Sequence, residues 1–251
     1  MTGDQVKEVH DDFVKGKNES FEPSILSRYR VDFSPTEKKV FMLAKELMKK
    51  HYILDTEKLY LQSNKEMKDE TPNTVRVAIK GLISKRVLFD GAAMTRDDVL
   101  SNETRHRMFE IICTRPGIHI SAIRTILDKD SRTILFDLNV LARFGFVRCV
   151  SINNNKIYFE SSFPNENDVL YYYMQKDKAR DIVIAILENP SVSLDDLGTI
   201  FSNSMSLKTL SRKIQILLEN KLLTAKYEIN KIIALNIMPG YRNKIKAIFS
   251  T

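Results

Sequence analysis

Residues 131–150 read SRTILFDLNVLARFGFVRCV. Ile134, Leu138 and Leu141 stand at i, i+4 and i+7, the spacing of one helical face. Gly145 follows, suited to the left-handed residue that closes a helix. Phe146-Val147 then opens FVRCVSI, predicting a strand, and KIYFE predicts its partner. Asn153-Asn154-Asn155 separates the two runs, and asparagine tolerates positive φ, so these residues read as a hairpin tip. Upstream, a helix is expected from Asn102 or Thr104 through RHRMFEIICT, with Met108, Ile111 and Ile112 inward. It must stop before Pro116-Gly117. Ser121 is expected to cap a short helix, SAIRTILD, buried through Ile123, Ile126 and Leu127, and Ser131 to cap the third. Three helices followed by a hairpin predict a winged helix-turn-helix.

The same spacing occurs twice more. Val75, Ile79 and Leu82 lead to Val87-Leu88, and Leu210, Ile214 and Leu217 lead to Leu222-Leu223, at the offset that takes Ile134 to Phe146. A fixed spacing found three times predicts an internal repeat. The expected architecture is mainly α with small β-hairpin wings, as three tandem winged-helix units over residues 34–100, 101–163 and 164–251. Residues 1–33 form a tail and lead-in, with 1–20 solvated. In the first unit Ser34-Pro35-Thr36-Glu37 starts a helix, TEKLYLQ lies in the second, and Pro72 opens the third. Its wing, VLFD with Gly91-Ala92, is minimal or absent. In the third unit Ser193 caps LDDLGTIF, Ser204 or Ser206 opens LKTLSRKIQILLE, and Ile229-Asn230-Lys231 makes a short wing turn. Asn167-Asp168 is expected to cap one long linking helix, VLYYYMQKDKARDIVIAILE, and YRNKIKAIF a terminal one.

Residues 115–150, within a closest match over 103–160, resemble the archaeal and bacterial winged helix-turn-helix transcriptional regulators. Pro116, Gly117, Ile118 and His119 match the opening those families carry before helix two. Leu138, Leu141, Gly145, Phe146 and Val147 match the close of their helix three. The resemblance implies a winged helix and binding to duplex DNA. Two departures stand out: Phe136-Asp137 occupies a common Tyr-His position, and Asp130-Ser131-Arg132 a flexible S-x-G turn.

Composition narrows the alternatives. At 43% hydrophobic and 28% charged, the 251-residue chain is of a soluble globular type, and no apolar run reaches the roughly 18–20 residues of a membrane span. The acidic start MTGDQVKEVHDD is not a secretory signal. Two cysteines, Cys113 and Cys149, are too few for a disulfide framework or zinc cage, so buried thiols and a cytoplasmic setting are expected. With eight glycines and neither GxGxxG nor GxxxxGK[ST], nucleotide chemistry is excluded as a reading. Residues 1–33 carry five basic and seven acidic side chains, a balance of −2. Residues 34–100 carry 13 and 10, residues 101–163 nine and six, and residues 164–251 twelve and nine, so each is +3. That balance is compatible with nucleic acid without requiring it.

The third helix of such a unit enters a major groove about 12 Å wide. Its outward positions are Asn73, Thr74, Arg76, Val77 and Lys80 in the first unit. In the second they are Ser131, Arg132, Thr133, Leu135, Phe136 and Asn139, with Lys156 on the wing. In the third they are Lys208, Thr209, Ser211, Arg212 and Gln215, with Lys213 farther along, toward phosphate. Arg, Asn, Thr and Ser read base edges, whereas Lys anchors to phosphate. The plain reading is that any exposed helix face is polar. His119 lacks partners for a metal site. Tyr171-Tyr172-Tyr173 is expected to point in several directions and pack between units. Asp195-Asp196 is explained by the helix dipole, and no catalytic residue can be argued.

The expected function is a cytoplasmic DNA-binding transcription regulator. Its partners are double-stranded DNA and proteins of the transcription machinery, with no cofactor, metal or enzymatic activity. Monomer and homodimer both stay open. The rival is a protein-interaction scaffold, as in endosomal-sorting (ESCRT) or polymerase-associated subunits. The short first wing, and Asp130 and Asp137 facing a groove, favour that rival.

Overall fold

A computed structural model of the protein describes residues 29–229 and 231–249. The expected tail over residues 1–20 lies outside them, as does Asn230 in the last turn. The fold is mainly helical with small antiparallel sheets, compatible with the winged helix. None of the described helices is long and apolar enough to cross a membrane. The chain divides into two compact units. One takes the described residues through Arg105 with Arg143–Phe146; the other takes His106–Ala142 and the described residues from Val147 onward.

The first unit opens with α1 (Pro35–His51), α2 (Thr56–Glu66) and α3 (Pro72–Ser84), followed by the single turn α4 (Arg96–Val99). Ser34 accepts from the Glu37 amide and the Glu37 carboxylate accepts from the Ser34 amide, a reciprocal capping box with Pro35 in the first turn. Val40, Ala44, Leu54, Leu59, Val75 and Leu82 close the core. Lys85 Nζ donates to Glu37 Oε2 at 2.7 Å, and Gly81 makes room for that carboxylate: a Cβ there lies 2.4 Å from Glu37 Oε1. Burial pushes the Glu37 pKa up, but the bonds from Lys85 and Ser34 outweigh it and hold it below 4.5. A depressed folded pKa stabilises above the unfolded value, and that contribution is lost as pH falls through the folded one. Glu37→Gln is therefore expected to flatten the loss of stability below pH 4.5. Urea midpoints across pH 3–6 check this, and parallel curves for the two proteins refute it.

The second segment runs α5 (Glu103–Thr114), β1 (Ile118–His119), α6 (Ile120–Leu127), α7 (Ser131–Arg143), β2 (Val147–Ile152) and β3 (Asn155–Glu160). The sheet order is β1-β3-β2, antiparallel throughout, with Cys149 opposite Tyr158. Asn153 and Asn154 both take positive φ at the tip, as expected. Asn102 Oδ1 accepts from the Arg105 amide and so starts α5, which buries Met108, Phe109 and Ile112 and leaves Ile111 half-exposed. Both expected caps move by a residue or two. His119 Nδ1, not Ser121, accepts the amide at the start of α6. Asp130 Oδ1, not Ser131, accepts from the Arg132 and Thr133 amides at the start of α7. Ile126 and Leu127 are only half-buried, and Cys149 is exposed rather than buried.

A 3₁₀ turn (Asn165–Asn167) leads to α8 (Asp168–Met174), α9 (Asp177–Glu188), α10 (Leu194–Ile200), α11 (Leu207–Glu219), β4 (Leu223–Glu228), β5 (Lys231–Ile237) and α12 (Pro239–Phe249). The single long helix expected over 168–188 is thus two helices, broken at Gln175-Lys176. The break lets α8 bury Leu170, Tyr172, Tyr173 and Met174 almost all round, while α9 buries Ile182, Val183 and Ile186 on one side. Asn167 gives no cap to α8; its Oδ1 accepts from Lys244 Nζ instead.

Three local details recur. Helices α3, α7 and α11 each have 13 residues. The residue four places after the last core leucine of each takes a left-handed φ: Arg86 at 56°, Gly145 at 75° and Lys221 at 57°. The amides of Val87 and Leu222 then return to the carbonyls of Leu82 and Leu217, the closing bond of a Schellman motif. Only Gly145 meets that conformation without a Cβ penalty. The residue two places before each second helix also pairs by backbone with the chain beyond the third. Ile118 lies opposite Tyr158, Val192 bridges Leu235, and Leu54 exchanges bonds with Gly91 and Ala92. Among the described residues no strand lies between α3 and α5, where a minimal or absent wing was expected, and this exchange is the pairing found there.

Candidate nucleic-acid interface

The candidate residues lie helix by helix on the faces turned away from the cores. On α3, Asn73, Arg76 and Lys80 are exposed and Thr74 is half-buried, its amide donating to Thr71 Oγ1. The Arg76 guanidinium lies 5.2 Å from the centre of the Tyr60 ring, a stacked cation that keeps its outer edge toward solvent. On α7, Ser131, Arg132, Thr133, Phe136 and Asn139 are all exposed. Arg124, on α6, donates to Ser131 Oγ at 3.2 Å and brings a further guanidinium to this end of the helix. On α11, Lys208, Ser211 and Arg212 are exposed, Thr209 is half-buried against its cap Ser206, and Lys213 is half-buried. Lys156 is exposed on β3 beside the hairpin tip and belongs to none of these faces.

The two aspartates that weighed against DNA do not face a groove freely. Asp137 is buried on the core side of α7. Asp130 is exposed but turned into its own helix: Oδ1 takes the two amides, and Oδ2 accepts from Thr133 Oγ1 at 2.6 Å. The Thr133 hydroxyl and those amides hold its carboxyl below the ordinary range. Its charge is spent on the helix terminus, where the dipole favours it.

The hairpin β2–β3 is anchored rather than free. Asn153 Nδ2 donates to the Tyr173 hydroxyl at 2.7 Å, and Asn155 Nδ2 to the Tyr172 hydroxyl at 3.1 Å. Tyr172 and Tyr173 are buried, and Tyr171 packs edge-on to Phe163. The tyrosine run thus joins the hairpin tip to α8 in one core, with both buried tyrosines turned to the same task.

Lys213 sits in a patch of its own sign. Its pKa is lowered first by desolvation, then by Arg212, Lys178 and Lys176. Lys176 and Lys178 lie at the start of α9 and went unnoticed in the sequence, as did Arg124. A helix read straight through Gln175 hides the corner that brings the two lysines beside α11. Among the described residues no group of three or more His, Cys, Asp or Glu side chains could hold a metal ion.

No protein-family model matches the chain. Over 98 residues, 39% of its length, the chain is 22% identical to an uncharacterized HTH-type transcriptional regulator of Methanocaldococcus jannaschii. The matched stretch is 25% of that relative, so the chain corresponds to about a quarter of it.

Proposed function

We propose that the chain is a DNA-binding transcription regulator of the cytoplasm, built from three winged-helix units over residues 34–100, 101–163 and 164–251. Helices α3, α7 and α11 are the elements that enter the major groove. One observation carries this reading: the three helices expose no acidic side chain before the last residue of α11. Helix α3 has no Asp or Glu, Asp137 of α7 is buried, and Glu219 ends α11. Ordinary solvated faces mix signs, as α1 does with Glu46 among its lysines and α9 with Asp177 and Asp181. Helices α6 and α12 likewise carry no Asp or Glu, so the bias includes all three groove-facing helices without being exclusive to them. The HTH-type name of the archaeal relative agrees with it.

Within this reading, Arg76, Arg132 and Arg212 address base edges, supported by Asn73, Asn139, Ser131, Ser211, Thr74, Thr133 and Thr209. Phe136 offers apolar contact to a thymine methyl, and Lys80, Lys156, Lys208 and Lys213 meet phosphates. Selection from random duplexes, followed by anisotropy titration, tests this. Arg212→Ala is expected to relax preference at one base pair by about 1–3 kcal/mol. Lys213→Ala is expected to weaken all sequences alike and reduce the salt slope by about one unit. Absence of duplex binding at about 50 mM salt refutes the reading and moves it to a protein-binding scaffold.

A further inference from the structure

We propose that Lys176 and Lys178, at the corner between α8 and α9, join Lys213 of α11, beside Arg212, in a clamp for backbone phosphates of duplex DNA. This rests on the DNA-binding reading and adds a site outside the groove-facing helices. The corner exists because α8 stops at Met174 and α9 restarts at Asp177; α9 packs against α11, and the charges of Lys176 and Lys178 are felt at Lys213. Lys176 is fixed there, its ammonium 4.6 Å from the centre of the Tyr172 ring. Tyr172 is itself buried and bonded to Asn155, so the lysine rests on a rigid support.

Among the described residues none of these four cations forms an ion pair with a carboxylate. The carboxylates near them are otherwise placed: Asp177 is held by Arg180 at 3.0 Å, Asp181 lies a turn along α9, and Glu219 accepts from Gln215 at the far end of α11. Four like charges held together repel one another, and an anion bridging them relieves both the repulsion and the partial desolvation of Lys213. A duplex strand offers such anions in a row. With the outer face of α11 in the groove, its half-buried flank at Lys213 abuts the phosphate wall, where point-charge lysines anchor without reading sequence.

The test uses the full chain, a labelled duplex and a series of KCl concentrations, with Lys176→Ala and Lys178→Ala. Each variant is expected to reduce the slope of log affinity against log salt by about 0.9, the value for one phosphate. At 0.1 M salt that slope corresponds to binding about 5–10-fold weaker. The ratio of affinities for the best and a scrambled site should not change, which separates anchoring from the reading assigned to Arg212. Among the described residues Lys178 makes no ring contact like that of Lys176. Lys178→Ala, which removes one of four mutually repelling charges, should therefore leave Tm unchanged or raise it; a lower Tm for that variant assigns the lysine a structural role and overturns the proposal. An unchanged slope in a wild type that binds DNA overturns the proposal and leaves the regulator reading standing. If the wild type binds no duplex, both fall. Inorganic phosphate at constant ionic strength is the control. A rise in Tm with phosphate that Lys178→Ala loses, without an effect on DNA, reassigns the corner to a free anion and overturns the clamp.

Discussion

Asp168→Ala is expected to lower the unfolding free energy by about 1.5–3 kcal/mol, the range for hydrogen bonds to a charged group, since Asp168 is buried while the Arg148 side chain stays 21% exposed. Asp168 begins α8 and takes both ends of the Arg148 guanidinium, at 2.7 Å from Nη1 and 2.5 Å from Nη2. Arg148 comes from β2, donates also to the Phe163 carbonyl and lies 4.7 Å from the centre of the Phe159 ring. The pair therefore joins the hairpin, the loop after it and the linking helix. Removing the carboxylate leaves a half-buried cation whose Nε is already buried without a partner. The effect comes from that charge rather than from the attraction lost. Replacing both residues by apolar ones of similar volume, as in Arg148→Met with Asp168→Leu, should recover most of the loss. Urea unfolding of the single and double variants decides it. A single variant within 1 kcal/mol of the wild type would show the pair to be a solvated surface contact of the weak kind.

The parts of this fold that could be read from the sequence are those that repeat. The spacing that begins at Val75, Ile134 and Leu210 placed the inward face of each third helix, and its core positions are buried in all three. What escaped reading depends on contacts distant in sequence. Nothing at Met174-Gln175-Lys176 marks a helix break, since there is neither glycine nor proline and the apolar pattern continues on both sides. The break is imposed by packing, because adjacent Tyr172, Tyr173 and Met174 cannot share one face of a continuing helix yet all are buried. Capping by Asp130 escaped because Ser131 stands next to it with nearly equal propensity, and capping by His119 because histidine is outside the residues that favour an N-cap while Ser121 is among them. Asp137 is different. It lies three residues after Ile134 and four before Leu141, so the period that placed the core already called for its burial. Its acidic side chain was given more weight than its position. The candidate interface was legible as residue types on α3, α7 and α11. The lysines at the start of α9 were not, because their place beside α11 depends on the unread break.

Leu138 and Phe136 make the sharpest local test of which way α7 faces. Leu138 is fully buried and Phe136 is 60% exposed, although they stand two residues apart on the same helix. Leu138→Ala removes a core side chain and leaves a cavity that its neighbours, fixed in close packing, fill only in part. The expected cost is about 2–5 kcal/mol, seen as a lower urea midpoint with an unchanged m-value. Phe136→Ala deletes a larger side chain, yet most of its surface already meets water, so the expected change is within about 0.5 kcal/mol. Size alone predicts the reverse order. Equal losses in the two variants would mean that α7 is covered on both sides, leaving no face for a ligand. The expected order leaves Phe136→Ala as a folded protein that lacks one apolar contact, and its affinity for duplexes with deoxyuridine in place of thymidine then reports what that contact touches. If Phe136 meets a thymine methyl, the wild type loses affinity on that exchange and the variant does not, because the methyl has no partner left to lose.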